Sequence, residues 1–358
     1  ANEKISYMCF FPAINPQKSP QLGLREGEGK SQKYVLEGSM YEQIPVMIGR
    51  NHSSHFFQTT RITADFGMNI RMTKDSSNPL VPNNNIMGVS VNKILWNSYT
   101  SKNRKSEKDN DFSFQDWYAL EQPLQLVSLR VTAHHYSNGQ QLGFYHTGTV
   151  NGVPLQRNDY KGGDFSTNYI QAAVTYSYLT KKRSVASVNV GYQWDGSFGG
   201  PFKFSDEQIN CYGQHRIIGF AQYKWLFRRS KIKEDAKPRV AYSTCEKKKV
   251  DIHVKKYSEL TFRWEPEYIM GNMSRYSAPD GKLHRFNNHF YLQYTQGNWR
   301  ALGFLLHCYT GRDYANIRYD LPITAVMLGV SLNFNKYYPA LSNKMRYCNP
   351  AKENCTGK

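Results

Sequence analysis

The stretch "HHYSNGQ", residues 134 to 140, places a histidine, a serine and a glycine at 135, 137 and 139. Those residue types can cleave an ester. Ser137 is the candidate nucleophile and His135 the base that takes its proton. Asn168 is the candidate third member, an amide that fixes the imidazole tautomer as a carboxylate does in acyl-transfer triads. The backbone N–H of Gly139 is a candidate donor to an oxyanion. Beside lipid an amide costs less than an ion, because charged groups are penalised there. Whether these residues can meet depends on the elements that carry them.

Helical periodicity is nearly absent from the chain, whereas period-two alternation recurs. In "QLVSLRVTAHHYS" (125 to 137) one face reads Val127, Leu129, Val131, Ala133, His135 and Ser137. The other reads Leu126, Ser128, Arg130, Thr132, His134 and Tyr136. "STNYIQAAVTYSYL" (166 to 179) repeats this with reversed parity, so Asn168, Ile170, Ala172, Val174, Tyr176 and Tyr178 share a face. Similar runs lie near 33–47, 55–72, 84–97, 112–119, 184–195, 213–228, 250–266, 284–296, 299–309 and 321–334. Many approach or exceed the nine to eleven residues that cross a bilayer at a tilt. The second face carries Arg, Gln, Thr and Ser, as a hydrated interior requires, and Tyr and Trp gather near strand ends as in an interfacial girdle. The fold class expected is all-β: a single transmembrane antiparallel β-barrel of about 12 strands, outer-membrane type, which leaves no backbone group or edge unsatisfied.

On that barrel His135, Ser137 and Asn168 share the lipid-facing wall, on strands about 4.8 Å apart. Val127 to His135 covers about 26 Å of strand, or about 20 Å of height in an apolar band about 25 Å tall. The two residues therefore fall at the rim of the hydrocarbon, where glycerolipid esters lie. His134 points the other way and is expected to be a hydrogen-bonded interior histidine.

With 46 Lys and Arg against 28 Asp and Glu, the net charge is +18, and the chain holds 26 Tyr, 19 Phe and six Trp. Such a charge suits an anionic partner. Lipid is favoured over nucleic acid, because the basic residues are dispersed over loops. The start at Ala1 is as expected after removal of a signal peptide. Cys348 and Cys355, in "CNPAKENC", are expected to form a local disulfide, which implies an oxidising compartment such as the periplasm. Cys9, Cys211, Cys245 and Cys308 are expected to be buried or paired. The pair in "NHSSH" (51 to 55) lacks the Cys or carboxylates of a metal site, and "KNRKSEKDN" (102 to 110) reads as a solvated loop. The organisation expected is an N-terminal arm (1–32), a barrel (33–338) and a tail (339–358), with both termini periplasmic.

His135-Tyr136-Ser137-Asn138-Gly139 resembles the signature of the outer-membrane phospholipase A family, twelve-stranded barrels with a Ser–His–Asn site on their outer surface. "STN", ending at Asn168, matches the family's Ser-x-Asn context, and "GRDYANIRYDLPITAVMLGVSLNF" resembles its last hairpin. The resemblance spans about 55 to 334 and is specific around 131–139 and 311–334. It implies hydrolysis of acyl esters of membrane phospholipids, contact with lipopolysaccharide, a homodimer and a calcium ion near the site. The carbonyl of Gln140 and a hydroxyl from Ser98, Ser101 or Ser106 are the calcium ligands it suggests. The connection from Ser137 to Asn168 is longer than in the family. Two other readings stand beside this one. Lipid A deacylases share His-x-Ser-Asn but have eight strands and an acidic third residue, where this chain has Thr149. The third reading is a catalytically silent barrel subunit of an outer-membrane protein complex.

Overall fold

The alternating runs build strands that each turn one face to an interior and one to the outside. The computed structural model describes residues 4–10, 12–16, 34–48, 59–74, 80–98, 124–139, 145–150, 153–158, 165–180, 184–196, 209–210, 212–228, 239–242, 249–252, 257–271, 273, 284–296, 302–314 and 322–332. Its strands are β1 (Ser6–Phe10), β2 (Ala13–Pro16), β3 (Tyr34–Ile48), β4 (Thr60–Thr73), β5 (Leu80–Asn97), β6 (Leu124–Ser137), β7 (Tyr145–Val150), β8 (Val153–Asn158) and β9 (Ser166–Leu179). Then follow β10 (Val185–Gly196), β11 (His215–Arg228), β12 (Arg239–Tyr242), β13 (Lys249–Ile252), β14 (Tyr257–Met270), β15 (Phe286–Thr295), β16 (Leu302–Arg312) and β17 (Pro322–Leu332).

Twelve of them close into one antiparallel ring in the order β1, β3, β4, β5, β6, β9, β10, β11, β14, β15, β16, β17 and back to β1. The short β2 pairs with β17 beyond the end of β1. Two separate hairpins, β7 with β8 and β12 with β13, stand in the connections.

The outer wall is apolar. Met87, Val89, Val91, Val131, Ile170, Val174, Tyr176, Val190, Phe262 and Leu328 are among its exposed residues. The interior carries many charged and polar side chains. Glu37 and Asp313 hold Arg71 at 2.8 Å each, Asp195 and Glu267 hold Arg216, and Asp65 accepts from Tyr41, Gln43, Thr63, Ser90, Arg130 and His134. Apolar outside and polar inside is the pattern of a membrane barrel. Among the described residues no helix is long and apolar enough to cross a membrane.

The expected strand total holds, but one member differs. The segment 112–119, expected as a strand, lies outside the described residues, and β5 pairs directly with β6. The twelfth place is taken by β1, in the segment expected to be an arm. Its sequence SYMCF alternates too, with Tyr7 and Cys9 buried while Met8 and Phe10 are exposed. Tyr7, Cys9 and Ile14 join Tyr291, Leu305, Tyr309, Ile323 and Met327 in an interior apolar cluster at the seam where the ring closes. The arm assignment for 1–32 is therefore corrected over 6–16. The strand expected at 250–266 is divided into β13, in a hairpin, and β14, in the ring. Cys9 and Cys308 are free thiols, the first buried. Cys211, Cys245, Cys348 and Cys355 lie outside the described residues, as do "NHSSH", "KNRKSEKDN" and the tail 339–358.

Antiparallel order sorts the connections by rim. Those that follow β6, β10, β14 and β16 share one rim. The start of β1 and the end of β17 lie at the other.

Candidate active site

Register decides which side chains meet. β6 and β9 pair over their full lengths, so that His135 stands opposite Asn168 and Ser137 opposite Ser166. Directly opposed residues point to the same face. On β6 that face continues from exposed Val131 and Ala133, and on β9 from exposed Ile170 and Ala172. All four residues therefore belong to the outer wall.

The His135 imidazole and the Asn168 amide are joined, Nδ1 to Oδ1, at 3.0 Å. Since the amide oxygen can only accept, Nδ1 carries the proton in this pair. That leaves Nε2 as the nitrogen able to take a proton from a nucleophile. Asn168 is 6% exposed although it lies on the outer face. Its neighbour on β10 is Gly196, and a Cβ there would fall 2.3 Å from a ring carbon of Trp194. The indole thus lies over the place that a side chain at 196, opposite Asn168, would fill.

On the other side, β5 sets Met87 opposite His135 and Asn85 opposite Ser137. The Asn83 amide donates to Asn85 at 3.1 Å. The wall therefore turns from apolar to polar within one rung, at the level of the histidine. This is the boundary expected for the edge of the hydrocarbon.

Past Ser137, Asn138 pins the chain. Its N–H donates to the Phe165 carbonyl and its side-chain oxygen accepts from the Phe165 N–H, both at 3.0 Å. Phe165 is fully buried and meets Tyr136 and Tyr212 edge-on. Gly139 follows with φ of 68°, in the left-handed region where other residues are disfavoured. Nothing lies within 4 Å of where its Cβ would be, so the backbone and not crowding favours glycine.

His134 faces inward as expected. Its Nε2 meets Asp65 at 2.9 Å and its Nδ1 the Tyr169 hydroxyl at 2.8 Å. Both ring nitrogens are engaged in the lumen.

Of the calcium ligands suggested by the resemblance, the structure describes Ser98. Ser98 accepts from the N–H of Gln125, at the start of β6. Ser137 lies at the other end, since Asn97 pairs with Leu126 and about 36 Å of strand separates Leu126 from Ser137. Gln140, Ser101 and Ser106 lie outside the described residues. Among the described residues no group of three His, Cys, Asp or Glu could hold a metal ion. No chemical step is assigned to a calcium ion.

Two neighbours of the site were not singled out in the sequence. Ser166 shares the parity of Asn168, a signal that was available in "STN". Asn138 follows a strand end, where asparagine commonly bonds to backbone.

No protein-family model matches the chain, and no curated protein matches its sequence. Among solved structures, an active-site mutant of outer membrane phospholipase A from Escherichia coli is similar at 10% identity, with 92% of this chain and 90% of that chain covered and a TM-score of 0.48. The Salmonella typhi outer membrane phospholipase, a dimer with bound calcium, is similar at 11% identity over 92% and 90%, with a TM-score of 0.46. The β domain of the Bordetella autotransporter BrkA is similar at 8% identity over 92% and 98%, with a TM-score of 0.30. Likenesses of this degree establish neither a site nor a reaction.

Proposed function

We propose that this chain is an outer-membrane hydrolase that cleaves acyl ester bonds of glycerophospholipids on the lipid-facing wall of its barrel. The observation that carries the reading is the His135–Asn168 hydrogen bond, on the outer face and one rung from Ser137. An oriented imidazole on a lipid-facing wall has no structural task that an aliphatic residue would not fulfil at lower cost.

Ser137 is the nucleophile, His135 Nε2 takes its proton, and Asn168 holds the imidazole in the required tautomer. The Gly139 N–H donates to the oxyanion. The substrate class follows from position, because acyl esters of a bilayer lipid lie where the wall turns from Met87 to Asn85. In this reading the termini face the periplasm and the rim that carries the site meets the outer leaflet, in contact with lipopolysaccharide. A second copy of the chain against this wall would exclude water from the site.

The test is fatty-acid release from phospholipid by the purified full-length chain in detergent, with calcium or a chelator, comparing wild type with Ser137→Ala. Release that disappears in the variant supports the reading. Release from lipid A alone identifies a deacylase, and silence in both proteins identifies a barrel without catalysis.

A further inference from the structure

The four outward side chains occupy two adjacent rungs of the β6–β9 ladder. On one rung His135 faces Asn168 and the two are hydrogen-bonded. On the other, Ser137 faces Ser166, with Cβ atoms about 4.5–5.5 Å apart as for any directly opposed pair. Ser166 is 7% exposed, and its Oγ has no hydrogen-bond partner. Buried hydroxyls are nearly always paired, because leaving one unmade forfeits its hydration without return. The ladder does not need the hydroxyl, since an alanine would keep every backbone bond and remove that cost. An unused donor thus stands across from the residue whose hydroxyl would attack an ester.

We propose that Ser166 is a catalytic residue, the side-chain donor of the oxyanion hole. The inference deepens, and rests on, the esterase reading of Ser137. As Ser137 Oγ bonds to the carbonyl carbon, its proton passes to His135 Nε2 and the carbonyl π pair moves onto oxygen. The Ser166 O–H donates to that oxygen from β9, and the Gly139 N–H donates from the end of β6. When C=O re-forms, the ester C–O bond breaks and the leaving alcohol takes the proton from His135. Water, deprotonated by the same histidine, attacks the acyl-serine, and the fatty acid leaves as Ser137 regains its proton. The hydroxyl that is unpartnered at rest gains its partner as charge develops, which is the differential binding that lowers a barrier.

The experiment uses the full chain in micelles with a short-chain phospholipid, and normalises rates to folded protein from unheated-gel mobility. Ser166→Ala is expected to lower kcat by about 10²-fold with KM little changed. It is expected to slow phosphonylation of Ser137 by a fluorophosphonate, whose P=O occupies the same hole, to a similar degree. Ser166→Thr, which keeps the hydroxyl, retains most of the activity. Wild-type kcat in Ser166→Ala, beside a dead Ser137→Ala, overturns this assignment and leaves the esterase reading standing. Activity retained by Ser137→Ala overturns both. A Ser166→Ala defect made good by excess calcium shows the hydroxyl to be a metal ligand and overturns the assignment as well.

Discussion

Adjacent histidines on β6 face opposite environments. His134 points into the lumen, where a carboxylate and a phenol hold both of its ring nitrogens. His135 points outward, where a neutral amide holds Nδ1. The lumen tolerates the Asp65 charge because Arg130 and five further hydrogen-bond donors surround it. On the outer wall the acceptor is the uncharged amide of Asn168. The same residue type is thus a cross-link on one face and, in the proposed function, a base on the other. The acceptor and the medium make the difference.

The strongest challenge to that contrast is to remove the outward pair. Ser137→Ala and His135→Ala are each expected to lower fatty-acid release by about 10⁴-fold or more, with folding unchanged on unheated gels. A comparable loss in His134→Phe at equal folded protein would reverse the assignment of roles. Asp65→Ala attacks the other face. It leaves Arg130 buried without its carboxylate and should cost about 3–5 kcal/mol, read by denaturant unfolding in detergent, while turnover per folded molecule stays near wild type. Asn168→Ala should lower kcat by about 10²-fold through loss of imidazole orientation, with little effect on the unfolding midpoint. The smallest effect is expected from Asn168→Asp, which gives His135 the kind of acceptor that His134 has. A charge near the interface costs about 1 kcal/mol or less, so a modest fall in stability with most activity kept would place the site at the rim. A severe loss of folding would place it deeper in the hydrocarbon.

Much of the barrel was legible because alternation is a local property. The run at 166–179 coincides with β9, and that at 125–137 differs from β6 by one residue. Parity alone put Arg130, Thr132 and His134 inside and Val131, Ala133 and His135 outside. The twelfth strand was missed for a physical reason. SYMCF is five residues long, and so short an alternation carries little signal. What makes it a strand is an unpaired edge on β17 and on β3, and an interior cluster that lacks Tyr7 and Cys9 without it. The β7–β8 hairpin and β12 were missed too, because they contribute nothing to the alternation of the ring.

Residue types and parity were enough to put His135, Ser137 and Asn168 on one wall, since side-chain direction alternates whatever the rest of the chain does. That His135 stands opposite Asn168 was another matter. The two are separated by a long connection, and a slip of two residues would preserve every parity while setting Ser166 or Ile170 against the imidazole. Register is fixed by the full β6–β9 ladder, by the Asn138–Phe165 pin and by closure of the ring through β1, all of which are long-range. The unpartnered hydroxyl of Ser166 belongs to the same level, because burial arises only when strands distant in sequence pack around it.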